Sequence, residues 1–490
     1  MDMTDPKDPS PRAKPPFAAL ALALVQGLLL WALSESVEAA RWPATDPRAM
    51  LPVTLLLLML PLTLQLLWPF VGRRLLQGAL ALGALFVGAA GALFGAAHRS
   101  PTAPGDVGEM VGGFVLPLIV AWVLAMPLLK LRLTSGRWTA PYPLLFDLTW
   151  RGALTLAEAA LFTGLFWATI GLTAALFNML GTDAVGEFVT DPRFAFPATT
   201  LVGTAAIHLV GASAGMVDGL LRQLLNLLKW LLPLAGIVVV AFSLALLPAL
   251  PTLFAEGRKV IEVVWLLWLV ALTVLLVNAA WQTGERPPGY GRPIEQALRC
   301  VPPLLLVVAA TATYSIVLRV ATAGLTPSRW WGLVAAAVAF AYAAGYTLAA
   351  WSRGAWFARI GRVNVAIAVA LLAVLLASLT PLADPLRLSV DSQARRAITA
   401  TDDRVRDGAL RFLARDAGGA GLARLGELER LPDAAGGSAA LRAAVLRARR
   451  AGDSRGQRFE DWLVRIDAVP AGAALEPGLV GALRAAHAAD

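Results

Sequence analysis

Residues 260–281 read VIEVVWLLWLVALTVLLVNAAW, and just before them residues 230–254 read WLLPLAGIVVVAFSLALLPALPTLF. Across both stretches the only ionisable side chain is Glu262. An α-helix rises about 1.5 Å per residue, so about 20 apolar residues cross the roughly 30 Å of hydrocarbon in a bilayer. Both runs are long enough. Neither alternates apolar with polar residues, as a strand of a membrane barrel must. The two stretches therefore predict transmembrane helices and an all-α chain.

The same reading, carried outward, finds eleven runs: 17–34, 50–71, 75–97, 111–129, 153–180, 198–217, 230–254, 260–281, 297–318, 327–351 and 360–381. The weakest is 198–217, diluted by Thr199, Thr200, Thr204, His208 and Ser213. Composition agrees: 58% of the 490 residues are hydrophobic and 15% charged, where soluble domains have about 45–50% and about 25%. Cys300 is the only cysteine, which excludes disulfides within the chain, cysteine zinc sites and iron–sulfur clusters. Trp265, Trp268, Trp281, Trp330, Trp331, Trp351 and Trp356 gather mainly near the ends of runs, as interfacial aromatic residues do. Pro233, Pro248 and Pro251 in the seventh run, and Pro302-Pro303 in the ninth, predict kinks.

Lysine and arginine in short loops set orientation. With the N-terminus inside, the inner segments carry 17 such residues and the outer loops 8; removing the weak run reduces this to 13 against 12. The bias supports the weak run and places the tail outside, which in a bacterial cell is the periplasm. The expected layout is a cytoplasmic segment 1–16, a transmembrane domain 17–383 and an extramembrane helical region 384–490. The first run is expected to stay uncleaved, because Asp2, Asp5 and Asp8 offset the basic residues a signal peptide needs. In the tail, Leu441, Ala444, Val445 and Ala448 share one helical face, between glycine pairs at 418–419 and 436–437 and the chain end. The tail is expected to pack loosely. The net charge of +9 on so apolar a chain points to a membrane surface rather than nucleic acid.

Motifs for chemistry are sparse. There is no P-loop, H-E-x-x-H or C-x-x-C, and three histidines do not build a metal cluster. No cofactor or metal is expected. Gly211-Ala-Ser-Ala-Gly215 matches G-x-S-x-G, but it lies within an expected helix, with His208 about 140° around from Ser213. Gly211, Gly215 and Gly219 recur every fourth residue, as Gly91 and Gly95 do, a spacing that lets helix backbones approach in lipid. Ionisable residues inside spans are costly, and so point to function. Glu158, five residues into the fifth run, and His208, midway along the sixth, are candidates for one intramembrane polar site, offset in depth by roughly 5–15 Å. Asp147 with Arg151 and Asp218 with Arg222 are spaced as helical i,i+4 ion pairs, expected at the cytoplasmic face.

Four stretches of the second half carry a resemblance: Leu276-Val-Asn-Ala-Ala-Trp-Gln282, Leu318-Arg-Val-Ala-Thr-Ala-Gly-Leu-Thr-Pro-Ser-Arg329, Ala344-Gly-Tyr346 and Pro381-Leu-Ala-Asp-Pro-Leu-Arg-Leu-Ser-Val-Asp-Ser-Gln393. Together they resemble the bacterial multi-pass membrane family catalogued as domain of unknown function 4153, over residues 145–415 and most strongly after 270. Ala321-Thr-Ala stands where that family is expected to carry Ala-Gln-Tyr. The resemblance implies a helical inner-membrane protein and supplies no activity. The same residues also read locally: Thr326 caps a helix with Pro327 at its first position, and Asp384-Pro385 makes a turn after the last span. The functions expected are a non-enzymatic envelope sensor or scaffold first, a transporter or channel for a small solute, lipid or proton second, and an intramembrane enzyme third. The partners expected are the lipid bilayer, and further copies of the chain or other membrane proteins.

Overall fold

The computed structural model describes residues 16–97, 111–138, 141–212, 214–249, 262–282, 289–352, 356–433, 436–450 and 481. The segment 1–15 and most of 451–490, both assigned a side of the membrane above, lie outside them. Every regular element among the described residues is helical. Among the described residues eleven helices are long and apolar enough to cross a membrane, in the order of the eleven runs. The protein is a polytopic all-α membrane bundle.

The helices are α1 Phe17–Glu38, α2 Pro47–Leu66, α3 Arg74–Ala97, α4 Leu116–Ser135, α5 Tyr142–Met179, α6 Ala184–Thr190, α7 Pro192–Ala212 and α8 Ala214–Leu246. They continue with α9 Val263–Trp281, α10 Arg292–Arg299, α11 Val301–Ala323, α12 Pro327–Ala350, α13 Trp356–Ser378, α14 Pro385–Thr399, α15 Asp403–Arg415 and α16 Gly418–Glu429. Side-chain caps start several of them. Asp46 accepts from Arg48 N at 3.0 Å with Pro47 in the first turn of α2, and Thr326 does the same for α12. Each satisfies a backbone donor that the first helical turn leaves open.

Three boundaries differ from the expectation. α5 begins eleven residues before its apolar run and spans about 57 Å at 1.5 Å per residue, so Asp147 and Arg151 sit within the helix. Pro302 and Pro303 do not kink the ninth span; they occupy the first turn of α11, after the short α10, where a missing N–H costs nothing. Asp384 does more than make a turn. It caps α14, accepting from Leu386 N at 2.9 Å.

The chain forms two compact units. One holds residues 1–93, 123–232 and 276–289, the other 94–122, 233–275 and 290–490. In the first, α7 lies between α1 and α5. Gly27 is the close contact of α1: an added Cβ would sit 2.4 Å from Pro197 Cα and 2.6 Å from Thr200 Oγ1. Gly91 of α3 similarly meets Pro52 of α2. Gly211 and Gly219 do not play this part among the described residues, where a Cβ on either would meet nothing within 4 Å. The run straddles the end of α7 and the start of α8, and the surroundings of Gly215 lie outside the described residues.

In the second unit α12 packs between α11 and α13. Gly345 lies against Val363, and Tyr346 donates from its hydroxyl to Asn364 Oδ1 at 2.7 Å. The helices α14–α16 and the helical residues 439–450 build a core in which Leu410, Leu413, Leu425 and Val445 are wholly buried. Leu441, Ala444 and Ala448 point into the same core. Residues 385–433 and 436–450 are thus well packed, not loose.

Candidate functional site

Two side-chain pairs set the register of α5 on α7. Thr163 faces Gly203, and Trp167 Nε1 donates to Thr199 Oγ1 at 3.1 Å. The helices are antiparallel, so each step forward on α5 is a step back on α7. The same register sets Ala159 beside Ala206 and Ile207, covered by Leu62 and Leu66 of α2, and brings Glu158 level with His208. The depth offset expected from sequence is therefore absent: α5 starts earlier than its apolar run, and α7 also begins six residues before its own.

Level does not mean bonded. His208 Nε2 lies 2.9 Å from Gln65 Oε1, and Gln65 Nε2 donates to the Ala19 carbonyl at 3.0 Å. A carbonyl can only accept, so the amide nitrogen of Gln65 faces α1 and its oxygen faces the imidazole. The network thereby assigns the hydrogen of the neutral ring to Nε2 and the lone pair to Nδ1. Trp68 packs edge-on against the ring, with centroids 5.9 Å apart. Both carboxylate oxygens of Glu158 are buried and have no hydrogen-bond partner among the described residues. Gln65, 4% exposed, was not singled out from sequence; its only signal there is an amide within an apolar run.

Toward the start of α5, Arg151 Nε donates to both carboxylate oxygens of Asp147, at 2.8 Å to Oδ1 and 2.7 Å to Oδ2, and its guanidinium also pairs with Asp218 of α8. Arg222 turns instead to the Asp218 carbonyl at 3.1 Å. The second pair is thus not the i,i+4 pair that its spacing predicts, because Arg151 claims the carboxylate across helices. These groups are more than a third exposed, which limits each pair to about 0.2–1 kcal/mol. Arg151 lies about 10 Å along the axis from Glu158, already held by two acids.

A second polar constellation joins α11, α12 and α14. Gly324, at φ +76°, makes the turn between α11 and α12, a left-handed conformation that suits glycine. Gln393 Nε2 donates to the carbonyls of Ala323 and Leu325 at 3.1 and 3.0 Å, and Leu325 N donates to Ser392 Oγ at 3.1 Å. Arg396 adds bonds to the carbonyls of Ala321 and Thr322, and Arg329 to those of Ala323 and Gly324. A Cβ on Gly324 would stand 2.6 Å from Gln393 Nε2. Two of the four stretches quoted from the second half of the sequence, 318–329 and 381–393, meet here, and every turn carbonyl from 321 to 325 is held by a side chain.

Among the described residues no three His, Cys, Asp or Glu side chains gather as metal ligands. Ser213 lies outside them. No family model, no curated protein and no solved structure matches this chain.

Proposed function

We propose that the chain is a non-enzymatic protein of the bacterial inner membrane, a sensor or scaffold that works through its C-terminal helices. The reading keeps the N-terminus in the cytoplasm and residues 384–490 in the periplasm, supported by the 17-to-8 bias of basic residues. It also keeps the resemblance to the family named above. The observation that carries it is the grip of Ser392, Gln393 and Arg396 on the turn between α11 and α12. A load on the C-terminal core passes through that grip to two transmembrane helices. Expression of the chain cut after residue 383, or of the Gln393→Ala, Arg396→Ala variant, in a strain deleted for the chain is the test. Both should insert in the membrane and leave the deletion phenotype uncorrected; full correction by the shortened chain would sink the proposal.

A second reading, transport of a small solute or a proton, is favoured by Glu158. A carboxylate buried in an apolar span without a donor is stabilised only by what binds it. Full-length chain in sealed vesicles should then pass protons or a small cation, and Glu158→Gln should abolish the flux. Equal flux in both would remove this reading.

A further inference from the structure

The turn between α2 and α3 meets the C-terminal end of α4. Leu67, Leu76 and Leu133 are buried together there, with Phe70, Met126 and Leu129 packed around them. On this apolar plug stand Arg73 and Arg74 from one side and Lys130, Arg132 and Arg137 from the other. Arg73 donates to the Leu133 carbonyl, which ties the two sides together, and Arg132 donates to the Gly136 carbonyl. Between residues 47 and 138 the described residues contain no Asp or Glu, and none of the four arginines makes an ion pair among the described residues. Among the described residues the positive charge of these four arginines is paired with no carboxylate, and the N-terminus of α3, with its partial positive charge, begins at Arg74.

Two features say what would neutralise it. Among the described residues Arg132 Nε is buried without a hydrogen-bond partner, so the guanidinium has donor capacity that these residues leave unused. Its other face lies over Trp138, 5.8 Å from the ring centroid, and Trp138 is 58% exposed, the disposition of an aromatic side chain at the membrane interface. Val71 and Leu75 beside the arginines are exposed apolar surface, suited to acyl chain. Basic pockets where transmembrane helices end suit anionic headgroups. We infer that this cluster is a binding site for the phosphodiester headgroup of an anionic phospholipid, with Arg73 and Arg132 as its principal ligands and Trp138 as its edge.

The test uses the delipidated full-length chain in neutral detergent, with phosphatidylglycerol, phosphatidylcholine or inorganic phosphate added. Lipid adducts are counted by native mass spectrometry, and thermal unfolding is followed in parallel. Phosphatidylglycerol should give retained adducts and a higher Tm; phosphatidylcholine and phosphate should give neither. A basic residue near an anionic surface contributes about fivefold in affinity, so Arg73→Gln with Arg132→Gln should weaken the adducts about 30-fold. Should that variant misfold through loss of the Leu133 tie, Arg74→Gln with Arg137→Gln changes only exposed side chains and should weaken them at least about fivefold. Arg404→Gln, in α15, should bind as the wild type does. Equal retention of phosphatidylcholine, a shift produced by phosphate alone, or undiminished adducts in a folded variant would overturn the assignment.

Discussion

At the scale of single residues, His208 and Glu158 illustrate two ways an ionisable group is tolerated in an apolar helix. His208 is fully explained by structure: Gln65 accepts from it and is itself anchored on the Ala19 carbonyl. Glu158 is not, because neither of its oxygens finds a donor. Opposite outcomes follow for two substitutions to leucine. Gln65→Leu should lower stability by about 1–3 kcal/mol, since the ring N–H and a backbone carbonyl both lose a buried partner. Glu158→Leu should hold stability or raise it, since a buried acid without a partner is removed. Thermal unfolding of the two variants in detergent decides the point. A Glu158→Leu protein markedly less stable than wild type would mean that the carboxylate supports the fold.

At the scale of elements, small residues matter where a second helix arrives and nowhere else. Gly27 lies under Pro197, so the Cβ of Gly27→Ala would press on backbone that cannot swing aside. Overpacking of this kind costs about 1–3 kcal/mol, and in lipid no hydrophobic force holds the helices together against it. Gly211→Ala meets open space and should change stability by less than about 0.5 kcal/mol, with a small gain from helix propensity. Abundance in the membrane and Tm of the two variants should separate cleanly. If both fall equally, the glycine run is covered by a partner, such as a second copy of the chain.

At the scale of the whole molecule, the prediction concerns sidedness. Alkaline phosphatase, which is active only in the periplasm, should be active when fused after Asp391 and inactive when fused within 284–293. The reverse pattern would invert the assignment of the loops. The number of spans and the all-α class were legible in the sequence because apolar length is a local property, measured against a hydrocarbon thickness that the bilayer supplies. The cap at Thr326 belongs to the same class, since it bonds within three residues of itself. The neighbours of Glu158, the partner of His208 and the choice of Gly27 over Gly211 as a contact were decided only by the tertiary structure. Lipid tails and helix interfaces are equally apolar, so hydrophobic periodicity cannot say which face of a transmembrane helix meets another helix. The bond from His208 to Gln65 spans 143 positions, and the grip of Gln393 on the Gly324 turn spans about 70. Such pairings depend on the rotation and register of whole helices, which are set only when the bundle closes.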